Sequence, residues 1–165
     1  MLRRPACLWT VLLPLASWHA AATEALKNWF DDPFVQLTGD DRACPRPAGP
    51  FVTEKERLAQ SHRRAEKGTT AWLAGEADRP KAYTYDQDIA AALQQAFSSG
   101  RRFAGSALWA TVQGRVVYVE GCLQGDATTE QQLDAVVRAA PFVQQTILIV
   151  RTRPDQPVPY RVMPP

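Results

Sequence analysis

This sequence is poor in the side chains that most often carry out chemistry. It holds three cysteines and two histidines in 165 residues, and it shows no serine elbow, phosphate-binding loop, zinc-ligand spacing or dinucleotide glycine fingerprint. Nothing in it therefore positions a nucleophile, a metal or a cofactor, and the chain reads as a non-enzyme that uses none. A C-x-x-C pair is also missing, which argues against thioredoxin-like redox chemistry. His62 is the one histidine beyond the first 22 residues, and it stands in polar helical sequence without the companion ligands a zinc site requires. The acid pairs Asp31-Asp32 and Asp40-Asp41 fall in turn-like, solvated sequence, where a shifted pKa has no cause.

Long apolar runs are missing as well. The apolar stretch from Leu8 to Trp18 is too short to span a bilayer. It follows Arg3 and Arg4 and precedes Ala20-Ala21-Ala22, the three-part pattern of a secretory signal with an A-x-A site. The expectation is cleavage near Ala22, residues 1–22 lost, and a mature chain in the periplasm. Cys7 lies too near the start to be a lipoprotein anchor. Two of the 19 basic residues leave with the signal, so 17 remain against 17 acidic ones. That balance argues against nucleic acid as a partner and gives no bulk charge with which to attract anionic lipid.

The mature chain keeps two cysteines, Cys44 and Cys122. In an oxidising compartment they are a candidate disulfide, with two separate buried thiols as the alternative. A bridge would pin the N-terminal half beside the end of a strand at Gly121, and reduction would loosen that half first.

What is present is concentrated between Tyr85 and Arg151. Ile89, Ala92, Leu93, Ala96 and Phe97 recur at the spacing of one helical face, with Asp86 placed to cap the first turn. Ala107 to Val112 and Arg115 to Gly121 are two runs rich in β-branched and aromatic residues, separated by Gln113 and Gly114, which is hairpin spacing. Thr128 and Gln131 resemble a capping box for a second helix that carries Leu133, Val136, Val137 and Ala140 on one side and stops at Pro141. Val143 to Arg151 reads as a third strand. With a Gln113-Gly114 turn, Leu108, Ala110, Val112, Val117 and Val119 share one face, while Trp109, Tyr118, Thr111 and Val116 share the other.

The order helix, strand, strand, helix, strand resembles the BON domain of bacterial envelope proteins over residues 85–151. The resemblance is carried by Asp88-Ile89 with Leu93, the turn glycine in VQGRVVYVEG, Gly121, the amphipathic helix after it, and the Pro141-Phe142-Val143 step. The family usually has glycine where Phe142 stands, so this helix end must be built differently. The resemblance implies an α+β sandwich, a small three-stranded sheet covered on one face by two helices. It also implies periplasmic residence and non-catalytic contact with phospholipid or envelope partners.

On this reading residues 23–84 form an N-terminal extension with one polar helix near 54–67, residues 85–152 the BON-like domain, and residues 153–165 a proline-rich tail, extended and mobile at its end. Trp29, Phe30 and Phe34 are too dense in aromatics for a free segment and should dock. Thr53 and Glu56 open the polar helix with a capping box, leaving Leu58 and Ala65 as its apolar seam. Trp72, Leu73, Tyr83 and Tyr85 suggest a loop packed on the domain. The face carrying Trp109, Tyr118, Thr111 and Val116 is then either covered by the extension or open as a surface for lipid or a partner protein. Two function classes follow: a module that binds membrane phospholipid or an envelope protein, without a small-molecule substrate, or a structural subunit or adaptor of an envelope secretion assembly.

Overall fold

The computed structural model describes residues 24–66, 69–98 and 102–165. The expected signal segment, its cleavage site near Ala22 and Cys7 lie outside the described residues. In chain order the elements are β1 (Phe34–Gly39), α1 (Glu54–Glu66), α2 (Thr69–Leu73), α3 (Asp86–Ser98), β2 (Ala107–Gln113), β3 (Val116–Cys122), α4 (Ala127–Arg138) and β4 (Gln145–Arg151), with a 3-10 turn at Ala82–Tyr85 leading into α3. The class is α+β with a mixed sheet in the order β1-β2-β3-β4.

The sheet has four strands, not the three expected, because β1 of the N-terminal extension pairs antiparallel along β2. The described part of residues 24–84 thus joins the sheet, and it brings a second short helix, α2, besides α1. The β2–β3 pair is an antiparallel hairpin and β3–β4 is parallel, with α4 as the crossover that a parallel pair needs.

The hairpin turns one residue later than the sequence suggests. Gln113 pairs with Val116, and the turn residues Gly114 and Arg115 both have positive φ, 57° and 69°, as a two-residue turn matched to strand twist requires. Each pairing moves by two residues along β3, so the parity of the faces survives. Leu108, Ala110, Val112, Val117 and Val119 all belong to the buried core. The opposite pairs do change: Trp109 stands across from Glu120, and Thr111 across from Tyr118. In β3, Gly121 admits no side chain, since a Cβ there would lie 2.1 Å from the Ala107 carbonyl oxygen.

Helices α3 and α4 cover the core face. Ile89, Leu93 and Phe97 of α3 and Leu133 and Val137 of α4 are buried in it, whereas Ala96 turns outward and Ala90 inward. Asp86 is the first residue of α3, with helical backbone angles of its own. It is 2 % exposed, and its carboxylate accepts the backbone N–H groups of Gly114 at 2.6 Å and Arg115 at 2.7 Å. Its charge thus holds the hairpin turn against the start of α3. The cap of α4 sits two residues before the expected Thr128. Asp126 accepts the Thr129 N–H at 3.0 Å while Thr129 Oγ1 accepts the Asp126 N–H at 3.3 Å, and Asp is the stronger cap of the two residue types.

After α4, Phe142 takes the left-handed conformation itself, with φ 67°. Three contacts hold it there: its carbonyl accepts the Arg115 Nε–H at 2.8 Å, its ring lies 5.1 Å from that of Tyr85, and the Arg79 guanidinium lies over it at 5.9 Å. Tyr85 is buried in the same cluster, but Trp72, Leu73 and Tyr83 are exposed, so only the end of that loop packs.

Helix α1 begins as its sequence suggests, with Glu56 accepting the Thr53 N–H at 2.8 Å and Thr53 Oγ1 accepting the Glu56 N–H at 3.3 Å. Its inner face does not contain Leu58, which is 59 % exposed; the side chain of Ala65 lies outside the described residues. Beyond Glu56 of the capping box, the partly buried positions of α1 among the described side chains are Arg57, Gln60, Ser61 and Arg64, themselves one helical face. Arg57 lies 5.3 Å over the Trp29 ring and Arg64 4.0 Å over the Phe30 ring. The aromatic segment therefore docks as expected, under arginines rather than under an apolar seam. Guanidinium planes stack on rings while their stems bury apolar surface.

The proline-rich tail also packs. Pro47 and Val162 form an antiparallel bridge, the Ala48 N–H donates to the Arg161 carbonyl at 2.7 Å and the Met163 N–H to the Arg46 carbonyl at 2.9 Å. It is extended as expected, but anchored near its end, because its backbone finds partners in the equally extended 45–48 segment.

Candidate functional site

The second face of the sheet is divided in two. Over one half, Trp109 is 9 % exposed and packs with Ala107, Phe34, Val158 and the disulfide between Cys44 and Cys122. Tyr160 of the tail closes this half. Its hydroxyl donates to the Pro45 carbonyl at 2.8 Å and rests 3.3 Å from Cys44 Sγ, and burial pushes its pKa up to about 12. The Asp41 carboxylate lies within 4.8 Å of both sulfurs. With the bridge closed, neither sulfur is a thiolate able to bind a metal.

The other half is open. Between it and α1 lies a cleft of about 940 Å³, lined by Thr111, Gln113, Tyr118 and Glu120 from the sheet, Gln60, Ser61 and Arg64 from α1, and Phe30, Asp32 and Tyr83 from the connecting segments. Its lining is mostly apolar, as in many ligand sites with a few placed polar groups. The candidate surface read from the sequence is thereby separated: Thr111 and Tyr118 line the cleft, Trp109 lies under the disulfide, and Val116, 5 % exposed, is buried beside the hairpin turn. The extension and the tail cover one half of the face and leave the other open.

Asp32 and Arg64 brace the cleft wall. Arg64 donates bidentately to Asp32 at 2.8 and 2.5 Å, and the Gln113 amide donates to the same carboxylate at 3.1 Å. Asp32 is 5 % exposed, contrary to the solvated position its turn-like sequence suggests. Arg64 reaches back across α1 to claim it.

Glu120 is different in kind. It is half-buried, desolvation raises its pKa against a smaller lowering by the positive charge of Arg161, and Arg161 is already paired with Glu56 at 3.0 Å. Glu120 accepts no hydrogen bond from any described residue. Thr111 Oγ1 is also buried without a partner. Sequence reasoning missed Glu120, Asp32 and Arg64. Strand alternation could have found Glu120, two residues from Tyr118 on the same face; no local signal marks Asp32 and Arg64 as a pair. His62 lies exposed on α1.

Comparison with known protein families, curated proteins and solved structures finds no match for this chain. No helix among the described residues is long and apolar enough to cross a membrane.

Proposed function

We propose that this protein is an exported, non-catalytic binding module of the bacterial envelope, with a BON-like arrangement in α3, β2, β3, α4 and β4, that engages phospholipid through the cleft on the second face of its sheet. The observation that carries the reading is the cleft itself. It is a half-open, mostly apolar space of about 940 Å³ with a few polar groups on both its sheet wall and its α1 wall, a form that suits an amphipathic ligand. A disulfide between the two halves of the chain is compatible with an oxidising compartment. Of the two aromatics first placed on this face, only Tyr118 is available for contact, and Trp109 serves packing.

Flotation with phospholipid vesicles tests the proposal. The wild-type chain should float, Tyr118→Ala should weaken flotation while keeping its thermal midpoint, and Trp109→Ala should instead lose stability, about 3 to 5 kcal/mol as for a truncated core aromatic. A chain that does not float, yet retains a protein partner from envelope extract without lipid, would replace this reading with that of an assembly subunit or adaptor.

A further inference from the structure

Among the described residues the charges bordering the cleft do not cancel. Three of these residues that line it are charged, Asp32, Arg64 and Glu120, and the first two neutralise each other in a bidentate pair. Arg161, whose positive charge acts on Glu120, is bound to Glu56 and to the Phe51 carbonyl. One carboxylate is left over.

The unpartnered groups lie together. Thr111 is 3 % exposed with its hydroxyl unpaired, and since Thr111 faces Tyr118 and Trp109 faces Glu120, Thr111 and Glu120 are diagonal neighbours on one face. Such positions are about 7–8 Å apart, and Thr111 Oγ1 itself is closed off from solvent. Tyr118 stands beside both. The rings of Phe30 and Tyr83 already carry Arg64 and Lys81 over them, whereas no cation among the described residues lies over Tyr118.

We propose that the cleft recognises an alkylammonium group, with Glu120 as its counter-ion, the Tyr118 ring beside it, and the apolar lining around the attached chain. An ammonium offers only donors and a positive charge, which an unpaired carboxylate and an aromatic face both satisfy. A phosphate or carboxylate would instead meet Glu120 as a like charge. Keeping an unpaired, half-buried carboxyl costs stability, and such costs gather at binding sites. The inference rests on the cleft being the binding site, and it narrows the membrane ligand to the ammonium of a zwitterionic headgroup such as phosphatidylethanolamine, a free amine being the other source of the same chemistry.

The test uses the full mature chain and three probes that share one apolar body: decylammonium, decanol and decanoate, titrated calorimetrically below their micellar concentrations. Decylammonium should bind best, and Glu120→Gln should weaken it by about 10- to 100-fold, the weight of one charged contact, with decanol unaffected. Vesicles of phosphatidylcholine alone, with phosphatidylethanolamine, or with phosphatidylglycerol separate the sources. Flotation enhanced by phosphatidylethanolamine and lost in Glu120→Gln supports the headgroup. Decylammonium binding that depends on Glu120 without that enhancement supports the site with a free amine as its ligand. Decanoate binding as tightly as decylammonium, or a Glu120→Gln variant that binds decylammonium like the wild type, overturns the inference; vesicle flotation persisting in that case would leave the broader binding reading standing.

Discussion

The Asp86 carboxylate accepts the backbone N–H of Arg115 at 2.7 Å across 29 residues of chain, tying the start of α3 to the tip of the β2–β3 hairpin. Because Gly114 donates to the other oxygen at 2.6 Å, one buried side chain satisfies both amides of the turn. Asp86→Ala should therefore leave two donors unpaired and lower stability by about 3 kcal/mol or more, while Asp86→Asn, which keeps one acceptor oxygen without charge, should fall between. Urea midpoints decide this, and an Asp86→Ala variant as stable as the wild type would show that the turn holds itself.

Phe142 makes an opposed pair of contributions. Its φ of 67° is unfavourable for any residue with a Cβ, by about 1–2 kcal/mol, but its ring packs on Tyr85. Phe142→Ala should lose the ring and keep the strain. Phe142→Gly loses the ring and is released from the strain, so it should be more stable than Phe142→Ala by about 1 kcal/mol even though glycine is the smaller residue. The reverse order in thermal midpoints would mean that the backbone relaxes to negative φ when the ring is removed.

These two residues also show what a sequence can disclose. Faces of β2 and β3 were legible because alternation has a period of two and tolerates a shift of two; the turn position was not, because Gln113-Gly114 and Gly114-Arg115 both satisfy a glycine rule. Residues Phe34–Gly39 gave no strand signal of their own after Pro33, and β1 exists because β2, some 70 residues on, offers an edge. The inward side of α1 was hidden for a different reason. Periodicity counts apolar residues, and here the packed face is Arg57 and Arg64 against Trp29 and Phe30. The disulfide was legible as a candidate from the cysteine count together with the expected oxidising compartment, with two separate thiols as the alternative. The cleft was not, since it is bounded by segments far apart in sequence whose joint geometry no local pattern encodes.

Glu120 and Glu56 predict opposite responses to acid. Burial raises the Glu120 pKa above its ordinary 4.5, so its charged form costs stability at neutral pH and the cost is relieved as pH falls through the folded pKa toward 4.5. Glu56 is lowered, first by the Thr53 N–H and then by Arg161, so its contribution is present above 4.5 and is lost as pH falls through its folded pKa. Glu120→Gln should accordingly melt above the wild type at pH 7, with the gap closing by about pH 4. Glu56→Gln should melt below it, with that gap closing on stronger acidification. Thermal midpoints taken from pH 7 to 3 read both, and a Glu120→Gln gap that stays constant with pH would show that the carboxyl is not destabilised by its surroundings.

The Cys44–Cys122 bridge closes a separation of 78 residues, which in the chain-entropy account restricts the unfolded state by about 4–5 kcal/mol. That is a large part of the roughly 5–15 kcal/mol by which a domain of this size is stable. Opening it does not free the whole N-terminal extension, because Leu37 is buried in the core, Val35 packs against it and β1 is bonded along β2. What depends on the bridge directly is the layer over Trp109: Cys44, the 45–48 segment, and the tail that Tyr160 fastens to the Pro45 carbonyl. Reduction should thus speed amide exchange first at Ala48 and Met163, whose N–H groups bond between the two segments, while β1 and the hairpin keep their protection. Tyr160→Phe should produce a smaller form of the same change, with the disulfide intact, by about 1 kcal/mol for one lost hydrogen bond. Hydrogen exchange followed by mass spectrometry before and after reduction tests the order. If β1 exchanges together with the tail on reduction, the bridge holds the edge strand as well, and the two halves of the chain are coupled through the cysteines rather than through the sheet.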